Sequence, residues 1–230
     1  MAHEAQSRLR TAVLRRDVDG ARRALDDGAD VRQVDEYGFT PLGRAVFRGD
    51  VGVARLLLDR GANLNERDNW VMTPGRSLLH AAVVAQRDRV AVTRLLVDRG
   101  LNVSQTDDRG DAPLHMVAER GDADVASFLL DRGADIDQPG RFGYTPLIRA
   151  VIRGNVDVMR LLLRRGADID RGPGGGALTR ARQMHARMGG PGEAPADSAA
   201  AHVLHFEAAR AEVTRKLHAD IWLRVMPFTM

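Results

Sequence analysis

Apolar residues recur along this chain in stripes that repeat at an almost fixed interval. Val53, Leu56 and Leu57 stand at positions i, i+3 and i+4, which places their side chains on one face of an α-helix. Equivalent stripes occupy 92–96, 125–129 and 158–162. The apolar runs close at Gly28, Gly61, Gly100, Gly133 and Gly166, and these glycines are 33 residues apart except for one interval of 39. The pattern predicts stacked helical repeats.

A shorter helix is predicted before each stripe. Thr-Pro-Leu at 40–42 opens it with proline at the first helical position. The fixed φ of proline fits there, and no backbone hydrogen bond is lost. Gly-Asp at 49–50 separates the two helices, and the aspartate is predicted to cap the second one. Gly38 marks a turn into the unit, ten residues after the periodic glycine. The same parts recur at 110–122 and 143–155, with asparagine as the last cap.

These motifs resemble those of ankyrin repeat proteins. The segments 38–42, 111–118 and 143–147 match that family's helix-opening motif, and Leu-Leu-Leu-Asp-Arg-Gly-Ala-Asn at 56–63 matches its second helix and outgoing turn. The resemblance covers roughly residues 5–185. It implies an all-α fold, an ankyrin-repeat solenoid of stacked helix–turn–helix units with short β-hairpin-like loops, about six units including caps. It also implies that partners contact the hairpin tips and the concave face formed by the first helices.

The repeat register divides the chain into predicted segments. The N-terminal segment lacks Thr-Pro-Leu and is rich in arginine, as expected for a capping repeat that faces water. The first helix of the last repeat is predicted to end at about Arg187. The segments are a capping repeat 1–37, ankyrin repeats 38–70, 71–109, 110–142 and 143–175, a degenerate C-terminal capping repeat 176–212 with a Gly/Pro loop at 189–198, and an apolar helical extension 213–230.

Two segments depart from the repeat. Between Gly61 and Leu79 the chain is four residues longer than in the other repeats, which predicts a loop insertion within 69–77. Insertions in repeat proteins often lie on the binding face. The last residues, Ile221 to Met230, are too apolar for a free tail. They are predicted either to dock on the solenoid or to contact a partner.

Composition narrows the function classes. The chain has no cysteine, which excludes disulfides and thiolate metal sites and fits a reducing compartment. No apolar run reaches membrane-spanning length and no signal-peptide core is visible, so no membrane association is predicted and a cytoplasmic location is expected, with export by a signal-less route as the alternative. The 34 basic and 31 acidic residues are interspersed, so charge does not argue for nucleic acid. The bias toward arginine over lysine suggests a GC-rich bacterial genome.

Aromatic rings and arginines gather at the predicted tips and first helices, although only 4% of the chain is aromatic. Rigid aromatic side chains beside arginine are the usual composition of protein-binding hot spots. The alternative is that some rings merely cover neighbouring repeats. The predicted partner-binding residues are Tyr37, Phe39, Arg44, Phe47, Arg48, Trp70, Met72, Arg141, Phe142, Tyr144, Arg149 and Ile152.

Other chemistry has little support in the sequence. His80 and His115 stand where the resembling family uses histidine to hydrogen-bond between turns, so a structural role is predicted. His202 and His205 are three residues apart, but only Glu207 accompanies them as a further ligand, so no metal site is predicted. The glycine-rich stretch 172–176 lacks the Lys-Ser/Thr of a phosphate-binding loop. No catalytic residue and no cofactor is predicted.

The sequence therefore predicts a non-enzymatic protein–protein interaction module, an adaptor or regulator that binds a specific protein partner. The alternatives are an immunity protein that neutralises a toxin and a secreted effector that acts on a host protein. An enzyme would need the 69–77 insertion and the 189–230 region to build a pocket. A nucleic-acid binder is disfavoured, because the number of arginines is its only support.

Overall fold

The computed structural model describes residues 2–65, 67–68, 75–187 and 203. Its α-helices pair into successive helix–turn–helix units. They are α1 (Ala2–Arg15), α2 (Val18–Asp26), α3 (Pro41–Arg48), α4 (Val51–Asp59), α5 (Leu78–Val83), α6 (Arg89–Asp98), α7 (Pro113–Arg120), α8 (Ala123–Asp131), α9 (Pro146–Arg153), α10 (Val156–Arg164) and α11 (Gly176–Arg187). A 3-10 helix spans Arg141–Gly143, and strand β1 (Arg67–Asp68) pairs antiparallel with β2 (Arg76–Ser77).

The helices stack in two rows that follow the order of the chain. The odd-numbered helices, which are the first helices of the units, contact one another in sequence from α1 to α11, and the even-numbered helices do the same from α2 to α10. This arrangement confirms the predicted all-α fold of stacked helix–turn–helix units. The segment boundaries stay a prediction, because helix ends do not define where one unit passes into the next.

Local chemistry sets the ends of the helices. The Thr40 hydroxyl accepts a hydrogen bond from the Gly43 N–H at 3.0 Å, and Pro41 occupies the first helical position of α3. Gly49 ends α3 in the left-handed conformation, with φ of 77°. Gly61, after α4, has φ of 84° and open space where a Cβ would stand. The backbone conformation rather than crowding therefore favours glycine there.

The second helices begin with two different devices. Asp50 and Asp122 cap α4 and α8 as predicted, since each carboxylate accepts a hydrogen bond from the amide three residues further on. The predicted cap by Asn155 is wrong, because its side chain makes no capping bond. Its Nδ2 instead donates to the Ala118 carbonyl at 2.7 Å, which ties this unit to the preceding one.

The core is one continuous apolar layer between the two rows of helices. Leu57, Leu96, Leu129 and Leu162 close it from the second helices and are fully buried. Burying one such side chain contributes roughly 1.5–3 kcal/mol. Because neighbouring units complete each apolar face, no unit is expected to fold alone. Small side chains on the first helices let the layers approach closely; these are Ala45, Ala82, Ala118, Ala150 and Ala181.

Two buried histidines link successive units, which confirms their predicted structural role. His80 Nδ1 accepts from the Ser77 N–H at 3.3 Å, and its Nε2 donates to the Asp111 carbonyl of the next unit at 2.9 Å. His115 repeats the pattern, since its Nε2 N–H is directed at both the Gln138 carbonyl, at 2.9 Å, and the Tyr144 carbonyl of the next unit, at 3.1 Å. Burial lowers the pKa of both imidazoles below the ordinary value of 6.5. Both rings are therefore neutral, since each needs one nitrogen as an acceptor.

The irregular third unit carries two insertions where the sequence analysis placed one. Part of the extra length lies between the paired strands β1 and β2, as predicted. Two further residues lie between α5 and α6, in the loop 84–88. The Gln86 N–H donates to the Phe47 carbonyl at 3.0 Å, and a Cβ on Gly49 would overlap the Arg87 carbonyl. The longer loop thus leans onto the preceding unit.

The C-terminal end follows the prediction as far as the structure describes it. Helix α11 is present as predicted and is described as far as Arg187, and Ala177, Leu178 and Ala181 bury its inner side. Val203 is fully buried in the same core. The predicted loop 189–198 and the extension 213–230 lie outside the described residues. In the part of the chain that is described, no helix combines the length and apolar character needed to cross a bilayer.

Candidate functional site: a groove between two hairpin tips

A groove of about 690 Å³ runs along the first helices and the turns that precede them. We call it the inner groove. Helix α3, the 84–88 loop, α7 and α9 form its floor through residues such as Phe47, Gln86, Met116 and Arg149. The lining is strongly charged, with seven arginines against two carboxylates, Asp111 and Glu119. Of the predicted partner-binding residues, the groove brings together Phe47, Arg141 and Arg149.

The first tip, residues 35–40, joins one end of the groove. Tyr37, Phe39, Arg44 and Arg48 line a smaller cavity of about 310 Å³, which shares Phe47 and Gln86 with the inner groove and is therefore next to it. The Arg44 guanidinium lies 4.4 Å from the centre of the Phe39 ring and 5.6 Å from that of Tyr37. These distances are typical of cation–π contacts.

Asp35 fixes the shape of the first tip. Its Oδ1 accepts the N–H groups of Tyr37 at 2.9 Å and of Phe39 at 3.0 Å, while its Oδ2 is paired with Arg44. Burial alone would raise the pKa of Asp35, but the bonds from the Phe39 amide and Arg44 lower it overall. The carboxylate therefore stays ionised and holds Arg44 in place, while the Tyr37 ring remains 61% exposed.

A further cavity of about 490 Å³ lies between the first tip and α1. Phe39 and Arg44 line this cavity too, so both sides of the tip are accessible. Val34, which is 56% exposed, adds apolar surface on this side. The first tip is thus a projecting aromatic element with open surface around it.

The last tip, residues 140–144, is built differently. Gly140 stands where the other turns carry Asp35 and Asp107, so it has no carboxylate of its own. Asp111 of the preceding turn supplies a carboxylate to a different amide of this tip, because its Oδ1 accepts the Arg141 N–H at 2.7 Å. A Cβ on Gly140 would overlap this carboxylate, so glycine is required there.

Phe142 is the most unusual residue of the last tip. Its backbone is left-handed, with φ of 61° and ψ of 16°, a conformation that bulky residues rarely adopt. Its ring is 69% exposed. Arg141 lies 4.5 Å from the ring centre, and Tyr144 makes an edge contact at 6.1 Å. The fold buries little of this ring.

Tyr144 and Arg149 support the site from behind. The Tyr144 ring packs against the core, and its hydroxyl accepts a hydrogen bond from Arg180 of α11 at 2.6 Å. Arg149 is only 14% exposed and is paired with both Asp111, at 2.8 Å, and Glu119. Both residues were predicted to contact a partner, and their surroundings favour a positioning role instead.

Two groove arginines, Arg109 and Arg120, were not among the predicted site residues, whereas Arg141 was. Arg109, Arg120 and Arg141 line the inner groove with exposed side chains, and the structure records no ion pair for them among the described residues. A signal was available for Arg120, because it precedes the helix-ending glycine just as Arg48 and Arg153 do.

Of the remaining predicted site residues, Ile152 is the one whose position the structure describes. Ile152 is 37% exposed on α9 but does not line the inner groove. Trp70 and Met72 lie outside the described residues, as do His202 and His205. Within the described ranges, no group of three histidine or carboxylate side chains is placed to hold a metal ion.

Comparison with protein families agrees with this architecture. A family model described as ankyrin repeats in three copies matches residues 78–172, and one described as ankyrin repeats in many copies matches residues 9–58. Comparison with curated protein sequences gave no match. The two family matches together cover more than half of the chain, and the described helix pairs and turns extend through both regions. The chain belongs to the ankyrin repeat family.

Proposed function

We propose that this protein binds one specific protein partner through the inner groove and the two tips, and that it acts by binding rather than by catalysis. Ankyrin repeats generally serve as protein–protein interaction modules. The observation that carries the proposal for this surface is Phe142, an exposed ring on a left-handed backbone.

The left-handed backbone of Phe142 costs free energy that contacts within the fold do not offset. A left-handed backbone costs a residue other than glycine about 1–2 kcal/mol. The ring offsets little of this through burial, since 69% of its surface remains exposed. Contact with a partner would supply the missing burial, because a phenylalanine ring that becomes desolvated in an interface contributes strongly to affinity.

The first tip offers a second anchor of the same kind. Tyr37 is 61% exposed, and the Asp35–Arg44 pair already holds the turn beneath it. A preorganised aromatic side chain loses little conformational entropy on binding, which favours affinity. The two tips flank the groove, so one partner that spans it would engage both.

The test begins with capture of partners by the full-length protein from lysate of its native cell, followed by mass spectrometry. The captured protein is then purified and its Kd measured against the wild type and the variants Phe142→Gly and Tyr37→Ala. Each variant is expected to weaken binding about tenfold or more, the usual loss at an interface anchor. Leu14→Ala is the matched control, because Leu14 is exposed on α1 and lines neither groove nor tip.

Unchanged affinity in both tip variants would show that the partner binds elsewhere. The identity of the captured partner also separates the functional alternatives. A cellular protein supports the adaptor or regulator proposed here, whereas a toxin or a host protein would support an immunity protein or an effector.

A further inference from the structure

We infer that the partner presents an extended, carboxylate-rich peptide segment to the inner groove. The inference rests on the proposed function, since it names the chemistry of what that surface binds. Its basis is the charge of the groove, where arginines outnumber carboxylates by seven to two.

Pairing within the protein accounts for only part of this charge. Arg76 lies 3.6 Å from Asp107, and Arg89 lies 2.6 Å from Asp122. Arg149 neutralises the two acidic residues of the groove itself, with Arg153 as a weaker partner of Glu119 at 3.7 Å.

Arg109, Arg120 and Arg141 remain as the surplus, with no ion pair recorded among the described residues. Several guanidinium nitrogens also lack an acceptor. The Nε atoms of Arg48, Arg76 and Arg149 are buried and make no hydrogen bond within the described structure. A groove in which charge of one sign predominates focuses the electric field and attracts anions.

The distribution of the surplus arginines favours an extended ligand over a single phosphate. Arg109 and Arg141 belong to successive turns, whereas Arg120 ends α7. A lone phosphate is best held by several groups that converge on one point. Separate carboxylates along a peptide can instead meet arginines that different repeats contribute, each pair in bidentate geometry.

Nucleic acid fits the surface less well. Phosphate backbones bind through many cations spread over a wide surface, whereas only three of the groove arginines lack an ion pair among the described residues, and the chain carries a net charge of +3. Apolar rings are also available, since Phe47 lies on the floor of the groove and Phe142 lies beside the groove residue Arg141. A short acidic peptide with one apolar side chain matches both features.

Binding of defined peptides tests the inference. A fluorescent twelve-residue peptide rich in Asp and Glu, with one central Leu, is titrated with the full-length protein at 50 mM NaCl. The control peptide replaces every Asp by Asn and every Glu by Gln. The acidic peptide is expected to bind at least tenfold more tightly, and to lose most of that advantage at 300 mM NaCl because salt screens exposed charges.

Matched variants locate the site. Arg109→Gln/Arg120→Gln/Arg141→Gln is expected to weaken binding of the acidic peptide about tenfold. Arg99→Gln/Arg132→Gln/Arg165→Gln removes the same charge from the opposite side of the repeats and is expected to change it less than twofold. Thermal unfolding checks that both variants fold, and Arg120→Glu replaces the triple groove variant if that one does not.

Several results would overturn the inference. Equal binding of the amide peptide, or an unchanged Kd in the groove variant, would contradict it. Tighter binding of a peptide with a single phosphoserine, or of a twelve-nucleotide single-stranded RNA, would assign a different ligand. A captured partner that needs Phe142 but binds the groove variant normally would refute the acidic segment and leave the proposed function intact.

Discussion

Arginine plays different roles along the two rows of helices. At the ends of the second helices, each arginine reaches back to an aspartate of the preceding unit, which forms a row that we call the outer ladder. Its pairs are Asp26–Arg60, Asp59–Arg99, Asp98–Arg132 and Asp131–Arg165, with N···O distances of 2.6–2.8 Å. In the inner groove, by contrast, Arg109, Arg120 and Arg141 have no such partner among the described residues.

The difference separates cohesion from recognition. In the outer ladder every positive charge is matched, so that side presents alternating charges to water and holds neighbouring units in register. Arginine also suits this position because it lies at the negative end of the helix dipole. In the inner groove only some of the arginines have a carboxylate partner among the described residues, and the others are available to another molecule.

The largest loss of stability is expected from replacing Arg149, a groove arginine that is largely buried and paired with carboxylates. Arg149→Met would leave Asp111 and Glu119 uncompensated beneath the last tip, so the free energy of unfolding should fall by about 3 kcal/mol. Urea unfolding measures it. Arg153→Met, which removes an exposed arginine of the same helix, should cost under about 1 kcal/mol. Equal losses in the two variants would mean that burial does not distinguish these arginines.

A fall in pH should destabilise the protein through its two buried histidines, His80 and His115. Burial lowers the pKa of His80 and His115 in the folded protein, so the unfolded chain binds protons at higher pH. The free energy of unfolding should therefore decline as the pH falls below about 6.5 toward the lowered folded values. Urea unfolding at pH 7.5 and pH 5.5 measures the change. His80→Asn should be less stable at pH 7.5 and less sensitive to pH, and a flat wild-type profile would contradict the assignment.

Phe142→Gly should stabilise the protein while it weakens partner binding. Glycine adopts the left-handed conformation without a Cβ clash, so the free energy of unfolding should rise by about 1 kcal/mol. The greater flexibility of glycine in the unfolded chain reduces this gain. Thermal unfolding gives the value. Phe142→Ala is the comparison, because it removes the ring and keeps the strain. A stability loss as large in the glycine variant as in the alanine variant would show that the ring supports the fold.

The smallest effect is expected in the outer ladder. The coupling between Asp98 and Arg132, from a double-mutant cycle with Asp98→Asn and Arg132→Gln, should be about 0.5 kcal/mol and should shrink in 1 M NaCl. Both side chains are well exposed, which limits the Coulomb gain. A coupling above about 2 kcal/mol would place the ladder among the main determinants of stability.

The fold could be predicted from the sequence because each unit contains the residues that begin and end its own helices. Periodic glycines stop the second helices, and Thr40 with Pro41 starts a first helix through contacts within a few residues. Helix α11 was predicted from a degenerate copy of the same helix-opening motif. Such signals are local, so they can be seen without knowledge of how the units stack.

Contacts between units were much harder to foresee. The doublet Asp98-Arg99 suggests one local pair, yet in the structure its two members face different neighbours, Arg132 and Asp59. The two extra residues in the 84–88 loop were hidden in the total length of the irregular interval. The arginine surplus depended on knowing which carboxylates each guanidinium reaches across the stack, and a single sequence does not supply that.

The shared construction of the last tip limits how these repeats can be rearranged. Its turn depends on Asp111 of the preceding turn, and the matching position holds Phe39, Arg76 or Tyr144 elsewhere in the chain. A 33-residue copy that begins at the tip itself, residues 140–172, and is inserted after another repeat would therefore lack the carboxylate that orders its entrance. Recombination or design can transplant this aromatic element only as a pair of adjacent repeats.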